Sequence, residues 1–398
     1  MKTGYILNTY SSFSETFAAR EIVCLRESGL DIMVFAADGS GSSSDAQTFY
    51  RPRIFSIEAF RSVGYLFIRY PLAPFKLATL LVKLLFSCPR EAVTLAGNIH
   101  TISFFIRIMD IEAIEHIHGY FMSWPACIGL AMMVVTDRSF SISCHARDIF
   151  VEHGAMRLKV SRAAFVTTCT EQGMRYLKAN LPVDCHNKLR LCRHGIDVSL
   201  HNQPCREKTC TASKSIIAVG RLVEKKGFAE LLKAFALVVD KEPCSKLSIV
   251  GDGAIRNQLT HWVRTAGLDD RVFFMGWRGH DETLGLIEAA TILVAPSVIA
   301  NDGDRDGIPN VIIEAFAAGT AVVASNLEGI TEAVKNNRTG LVVSSADEVE
   351  LARAILELLD DENLRNKLCQ NASEEVKQVF DLRKNCRQLA VLFKQEKL

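Results

Sequence analysis

Short apolar runs alternate with longer helix-like segments twice along this chain, and that double alternation restricts the fold more than any other feature. In the first half, Gly4–Leu7, Asp31–Ala36, Ile111–His118, Phe140–Ser143 and Phe165–Thr168 read as strands. A helix begins at Ser14-Glu15-Thr16-Phe17, with Ser14 as candidate N-cap, and runs to Ser28-Gly29. Two apolar helices follow between about Phe60 and Ile108, and further helical segments lie near Trp124–Val135 and Glu171–Lys178. Asp38 to Asp45 is rich in Gly and Ser and reads as a loop. The second half restarts with strands at Ser215–Val219, Lys246–Val250, Val272–Met275, Ile292–Ala295, Ala321–Ala324 and Leu341–Val343. Its helices are Gly227–Val239, Ile255–Gly267, one opened by Pro309, Glu348–Leu359, Glu362–Val376 and Leu382–Glu396. Strands alternating with helices imply βαβ units and parallel sheets.

The expected fold class is therefore α/β, with two doubly wound Rossmann-like domains facing across a cleft. Such folds bind ligands at the carboxyl ends of their strands. The expected divisions are a first domain over 1–199, a polar linker over 200–213, and a second domain over 214–378. A C-terminal helix over 379–398 can pack back on the first domain. A length of 398 residues suits two domains better than one.

Composition excludes some classes. Lys+Arg and Asp+Glu number 46 and 45, so no large basic excess points to nucleic acid. Residues 1–200 carry 21 basic and 17 acidic residues, a net of +4. That permits only a mild preference of the first half for an anionic surface. Twelve cysteines are scattered without a paired Cys-x-x-Cys pattern, so no zinc site is expected. With no signal-peptide core at the start, free cysteines favour a reducing cytoplasm. The most apolar region, Ser62–Cys88, is interrupted by Arg69, Pro71, Pro74, Lys76 and Lys83 and does not make an uninterrupted span.

Candidate chemistry concentrates in the second half. Ile292–Ala295 leads through Pro296 and Ser297 into the acidic loop Asp302-Gly-Asp304-Arg-Asp306, and then into a helix containing Glu314. Pro is favourable at a first helical position, the free N–H groups there can hold an anion, and a carboxylate in an apolar helix needs a partner. After the first strand of this half comes Gly220-Arg221-Leu-Val-Glu-Lys225-Lys226-Gly227. Arg221 and Lys226 beside a helix start suit a diphosphate, although a solvated basic loop explains them as well. Gly251-Asp252-Gly253 ends the next strand and reads first as a tight turn, with room for a nucleotide base as the second reading. Asp302, Asp304 and Asp306 match an Asp-x-Asp metal pattern. Arg305 and the helix that follows favour an organic ligand, so no metal is expected, and Asp302 and Asp304 read as surface or loop-shaping residues.

In the first half, His118 and His145 each follow an expected strand and would lie at strand ends, facing the cleft. His194-Gly195-Ile196-Asp197 reads as a hinge or a cleft wall.

These residues resemble family 4 of the retaining glycosyltransferases, of GT-B fold. The resemblance rests on Ala218-Val-Gly-Arg-Leu, on Gly251-Asp-Gly253, and on Asp306-Gly-Ile-Pro-Asn-Val-Ile-Ile-Glu314. The first half is similar to the colanic acid and amylovoran branch. Its marks are Phe13-Ser-Glu15-Thr-Phe17 with Arg20-Glu21, His116-Ile-His118, Ser123-Trp-Pro-Ala126 and His145-Ala-Arg-Asp148-Ile-Phe150. The resemblance implies a donor site in which Arg221 and Lys226 hold and stabilise the diphosphate. Glu314 would take the ribose hydroxyls and Asp306 the donor sugar, with Gly251, Gly307, Ile308, Pro309 and Asn310 also lining the site. His118 or a neighbour would stand by the reacting sugar, and Glu15, His145 and Tyr120 would contact donor or acceptor. Two departures stand out. Asp306 replaces the usual Glu, and Tyr120 occupies the place of a second histidine, for which a shifted pairing of His116 with His118 could compensate.

The implied activity is hexosyl-type transfer, with retention, from a nucleoside diphosphate sugar to a saccharide acceptor in exopolysaccharide or cell-surface polysaccharide biosynthesis. No cofactor and no metal are implied. The acceptor would be lipid-linked, at the cytoplasmic face of the inner membrane, with peripheral association through Ser62–Cys88 set against burial of that stretch as core helices. Two alternatives stay open: a nucleotide-sugar epimerase of related fold, and a non-catalytic nucleotide-sugar-binding subunit. A hydride-transferring enzyme is disfavoured, because Asn8-Thr-Tyr-Ser-Ser-Phe-Ser follows the first strand where a Gly-x-Gly-x-x-Gly turn would be needed.

Overall fold

Strands buried on both faces of a parallel sheet read as unbroken apolar runs, and these runs form two separate sheets. A computed structural model describes residues 1–10, 16–39, 47–152, 154–198 and 214–395. The chain divides into two compact units: Met1–Cys192 with Arg383–Leu398, and Arg193–Leu382. Residues 193–198, read above with the first domain, thus belong to the second unit. So do residues 379–382, read above with the C-terminal helix. The linker assigned to 200–213, the Ser14 cap and Glu15 lie outside the described residues.

Unit 1 carries a seven-stranded sheet of order β3-β2-β1-β4-β5-β6-β7. Its strands are β1 (Lys2–Tyr10), β2 (Asp31–Gly39), β3 (Thr48–Tyr50), β4 (His116–Tyr120), β5 (Ser139–Cys144), β6 (Val166–Thr168) and β7 (Leu189–Leu191). Every pairing is parallel. The helices are α1 (Thr16–Glu27), α2 (Ile57–Arg69), α3 (Ala73–Ser87), α4 (Pro89–Gly97), α5 (Ile99–Ile111), α6 (Trp124–Thr136), α7 (Ala146–Phe150), α8 (Met156–Arg162) and α9 (Glu171–Asn180).

Two expectations need correction here. The two apolar helices between Phe60 and Ile108 are four, α2 to α5. Pro71, Pro74 and Pro89 cannot continue a helix ladder, and Pro74 and Pro89 sit in the first turns of α3 and α4. The strand read over Ile111–His118 is shifted: α5 runs through Ile111, and β4 starts only at His116 and extends to Tyr120. On its inner side α3 buries Leu77, Leu80 and Leu84. Each such side chain contributes roughly 1.5–3 kcal/mol, so Leu84→Ala should cost about 2–5 kcal/mol.

Unit 2 carries β8 (Ser215–Val219), β9 (Lys246–Val250), β10 (Val272–Gly276), β11 (Ile292–Ala295), β12 (Ala321–Ser325) and β13 (Leu341–Val343), ordered β10-β9-β8-β11-β12-β13. Its helices are α10 (Phe228–Lys241), α11 (Arg256–Thr265), α12 (His280–Ala289), α13 (Asn310–Ala317), α14 (Glu348–Asp360) and α15 (Glu362–Val379). Asp347 caps α14 by accepting from the Val349 and Glu350 N–H groups, and Asp361 caps α15 from Leu364. One apolar cluster fills each face of this sheet. The 194–197 segment runs beside the end of α15, with Ile196 bridged to Asp381 and its N–H donating to the Phe380 carbonyl at 3.0 Å. The last helix, α16 (Leu382–Gln395), places a fully buried Phe393 among Tyr5, His116, His118 and Phe165 of unit 1.

Candidate functional site

The strand order of unit 2 reverses between β8 and β11, which is where open α/β sheets present a ligand crevice. The loops leaving these two strands meet there. Gly227 has φ +64°, and any Cβ on it would collide with the Pro296 carbonyl oxygen, so this close approach requires glycine. Val298 N–H donates to the Lys225 carbonyl at 2.8 Å and fixes the contact. The Gly251 turn is fitted in a similar way. At φ +134°, a Cβ there would strike the Gly220 carbonyl oxygen, and the Gly251 N–H donates to Gly276 at 2.8 Å. Backbone packing thus accounts for Gly251 and for Gly253, whose Cβ would meet the Leu222 carbonyl oxygen.

These loops assemble a buried charge cluster. Lys226 Nζ donates to Asp306 Oδ2 at 2.7 Å, and Ser297 Oγ donates to the same oxygen at 2.7 Å. Lys225 Nζ lies 3.0 Å from Asp304 Oδ1 and 3.7 Å from Asp306 Oδ1. Burial pushes the Asp306 carboxyl up, but Lys226, Lys225 and Ser297 outweigh it and hold the group below the ordinary aspartate range. Asp306 therefore stands as a carboxylate. Asp304 corrects the sequence reading: it is buried and ion-paired, not a surface residue. Asp302 is exposed and accepts the Asp304 N–H at 2.9 Å, which shapes the loop. Arg221, at the head of the β8 loop, is exposed, and its side chain has no ion-pair partner among the described residues.

Gly307, Ile308 and Pro309 connect Asp306 to α13. Pro309 was expected to be the first helical residue, but it lies one step before the helix in extended backbone (φ −62°, ψ 128°), and Asn310 starts the helix. Glu314 is buried one turn inside α13, with His280 Nδ1 3.7 Å from its Oε1. A carboxylate in an apolar helix needs a partner, and His280, the first residue of α12, stands beside this one; neither His280 nor α12 was expected from the sequence.

In unit 1 the same topological position, between β1 and β4, is of a different character. The structure corrects the placement of His118. It is the middle residue of β4, fully buried, and not at a strand end. Its ring nitrogens are bonded to Ser141 Oγ (2.8 Å) and Ser143 Oγ (3.0 Å), while His116 Nε2 shares Ser141 Oγ at 2.7 Å and Ser143 Oγ meets Thr167 Oγ1 at 2.7 Å. Residues i and i+2 of a strand share one face, so the two histidines and the hydroxyls form a ladder across β4, β5 and β6. Burial lowers the His116 pKa to about 3 and that of His118 well below its usual value. Both rings are neutral core members. Tyr120 ends β4, also buried, and donates to Glu21 Oε2 at 3.4 Å. Burial raises Glu21 to about 8 despite that hydrogen bond. His145 follows β5, as expected from the sequence. It caps α7, with its N–H donating to Asp148 Oδ2 at 3.1 Å, and its ring lies 5.0 Å from Tyr120 and 4.8 Å from Phe121, centroid to centroid. Phe121 itself sits at φ +102°, an uncommon conformation for a bulky residue.

Residues 206–375 match the model of glycosyl transferases group 1, a stretch that includes both the Lys226–Asp306 cluster and the Glu314–His280 pair. The chain is 31% identical over 175 residues to the amylovoran biosynthesis glycosyltransferase AmsK of Erwinia amylovora, covering 44% of this chain and 43% of that protein. It is 34% identical over 165 residues to the lipopolysaccharide core biosynthesis glycosyltransferase LpsD of Rhizobium meliloti, covering 42% and 45%. The chain thus spans less than half the length of these two relatives in the matched stretches. A crystal structure of HepE from Anabaena in complex with UDP superposes with a TM-score of 0.72 at 18% identity, covering 99% of this chain and 100% of that one. The fold is that of the GT-B glycosyltransferases. At the unit 2 switch point the structure brings Lys226 and Asp306 together, with Lys225, Asp304 and Ser297 beside them. Adjacent lysines such as Lys225 and Lys226 carry no sequence signal that both turn onto buried carboxylates.

Proposed function

We propose that this chain is a retaining, metal-independent glycosyltransferase of family 4. It would move a sugar from a nucleoside diphosphate sugar to a lipid-linked saccharide at the cytoplasmic face of the membrane, in exopolysaccharide or cell-surface polysaccharide biosynthesis. The observation that carries the proposal is the Lys226–Asp306 pair at the β8/β11 switch point, inside the stretch that matches glycosyl transferases group 1. The relatives' roles in amylovoran and lipopolysaccharide core synthesis support the polysaccharide reading, and the UDP held by HepE supports the donor class.

The chemistry follows from the charges. The barrier is departure of an anionic diphosphate from an anomeric carbon that gains oxocarbenium character. Arg221 and Lys226 would stabilise the charge that develops on the leaving oxygen. Asp306, ionised and rigidly held, would accept hydrogen bonds from the donor sugar, and Glu314 from the ribose hydroxyls. The bond from the anomeric carbon to phosphate oxygen breaks, the acceptor oxygen bonds to the same face of that carbon, and its proton passes to the departing phosphate. This route needs neither a metal nor a carboxylate nucleophile.

A thermal-shift series with UDP, other nucleoside diphosphates and their sugars tests the donor site. A ligand at 100 times its Kd should raise stability by about 2.7 kcal/mol. Transfer to a saccharide acceptor is then measured with the ligand that gives the largest shift. No shift with any nucleotide would remove the donor assignment. A shift without transfer would favour the binding-subunit reading, and turnover of the donor alone into an isomer would favour an epimerase.

A further inference from the structure

We propose that the outward faces of α2 and α3 form a docking surface for an anionic lipid bilayer. A surface helix ordinarily buries one apolar stripe and shows a polar one to water. These two helices are apolar on both sides. Inward, α2 buries Ala59, Ser62 and Leu66, and α3 buries Ala73, Leu77, Leu80 and Leu84. Outward, Phe60 and Ile68 of α2, Phe75 and Phe86 of α3, and Phe55 in the turn just before α2 are 65%, 85%, 73%, 90% and 86% exposed. The core reading of Ser62–Cys88 therefore accounts for only one side of it.

Charge decides what the other side fits. Residues 51–90 hold seven basic residues and one acid, Glu58, and Glu58 is 3.2 Å from Arg107. Arg53, Arg61, Lys83 and Arg90 are exposed, and no carboxylate lies within ion-pair distance of them among the described residues. Beside α3 an open recess of ≈ 400 Å³ is lined by Leu72, Phe75, Leu130, Met133 and Leu158, with Lys76, Lys83 and Arg162 also in its wall. Lys76 is neutralised by Asp137 at 2.6 Å. Lys83 and Arg162 have no such partner among the described residues and are available to a phosphate, while the apolar floor suits an acyl chain.

Large exposed aromatic and aliphatic side chains interleaved with unpaired cations are what the interface of an anionic membrane rewards: burial for the former, attraction to headgroups for the latter. A second copy of this chain fits poorly. A two-fold contact would bring this surface against itself and face its cations with their own kind. No single helix among the described residues is long and apolar enough to cross a membrane; α2 and α3 reach that length and composition only together, and they are bent by 103° at the break between them, a geometry that suits lying at the surface. The inference supplies a location for the membrane-face placement in the proposed function, and rests on that reading only for the purpose of docking. Vesicle binding and nucleotide binding are separate readouts.

The test is flotation of the full chain with vesicles of phosphatidylcholine alone and of phosphatidylcholine mixed with phosphatidylglycerol. The chain should float with the mixed vesicles, float weakly with the neutral ones, and be released by raised salt. A triple variant Phe55→Ser, Phe75→Ser, Phe86→Ser should lower vesicle partitioning at least about tenfold, and so should Arg53→Glu, Arg61→Glu, Lys83→Glu on the mixed vesicles. Both should keep the parent's melting temperature and its nucleotide-induced thermal shift. Failure of the parent to bind mixed vesicles overturns the proposal, as does undiminished binding by the serine variant. A parent dimer that the serine substitutions convert to a monomer, with no vesicle binding, would make this face a self-association interface. Vesicle binding without any nucleotide shift would leave the docking surface standing and remove the donor site.

Discussion

The two units begin with the same strand order and differ in what stands where that order turns. In unit 1 the β4 side of the turning point is neutral: His116 and His118 are deprotonated by burial, Tyr120 is buried, and Glu21 is pushed up to about 8. In unit 2 it is charged, with an ionised Asp306 against Lys226 and Lys225. One topology thus supplies two crests and leaves the chemistry to the residues placed on them. If the comparison holds, substitutions in unit 2 should act on transfer, and those in the β4 ladder on stability.

The largest effect should come from Lys226. On the proposed mechanism Lys226→Ala removes a cation that would stabilise the leaving group, and it should lower kcat/KM by about 10²- to 10³-fold. Asp306→Ala would leave Lys225 and Lys226 without their shared carboxylate and should also destabilise the fold by about 3–5 kcal/mol. Steady-state kinetics on variants checked by circular dichroism decide this, and a folded Lys226→Ala enzyme of parental activity would sink the site. Next comes Glu314→Gln. Loss of hydrogen bonds to a charged group costs about 1.5–3 kcal/mol, so donor affinity should fall roughly ten- to hundredfold. An unchanged KM with a collapsed kcat would instead move Glu314 from binding to the reacting centre.

The sequence was most legible where burial is most complete. β8, β9, β11 and β13 begin and end where they were expected, and β11, apolar and buried along its whole length, is the plainest case. α12 was missed because His280–Ala289 buries only Thr283 and Ile287, which leaves a weak periodic signal. β4 was misplaced because the apolar run through Ile111 belongs to α5, and the strand's own residues, His-Ile-His-Gly-Tyr, look polar until Ser141 and Ser143 are known to face them. Lys226 and Asp306 were each singled out from the sequence, but not as partners of one another. The second layer of their cluster, Lys225 on Asp304, depends on a three-residue turn over Glu224–Lys226 that carries no pattern.

His118 gives the next prediction. His118→Asn should leave transfer within about tenfold of the parent while lowering stability by about 1–3 kcal/mol, the cost of leaving buried hydroxyls short of partners. A folded variant that loses transfer about a hundredfold or more would return His118 to the chemistry. Acid should separate the units in the same sense. An unfolded histidine takes a proton near pH 6.5, whereas His116 does so only at about 3. The contribution of the neutral rings is therefore full above about pH 6.5 and is lost as pH falls, with His116 alone worth on the order of 2 kcal/mol by pH 5. Asp306 has a folded pKa below its unfolded value, so its contribution is lost only below about pH 4. Amide-exchange protection at pH 5 should fall across β4 and β5 and hold across β8 and β11. Equal loss in both would break the comparison.

The smallest effect should fall on Asp302, which shares the Asp-x-Asp pattern with Asp304 and Asp306 but not their surroundings. Asp304 and Asp306 have lysine ammonium groups at 3.0 Å and 2.7 Å, so their charge is already balanced and a divalent ion would have to displace those cations. Asp302 is exposed and does no more in the structure than accept the Asp304 N–H. Asp302→Ala should change stability by less than about 1 kcal/mol and transfer by less than a factor of about five, and a chelator should leave the rate unchanged. A rate that falls on chelation and returns with Mg²⁺, in the parent and not in Asp302→Ala, would show that this loop recruits a metal when donor is bound. The unit 2 crest would then owe its positive charge to an ion as well as to Arg221.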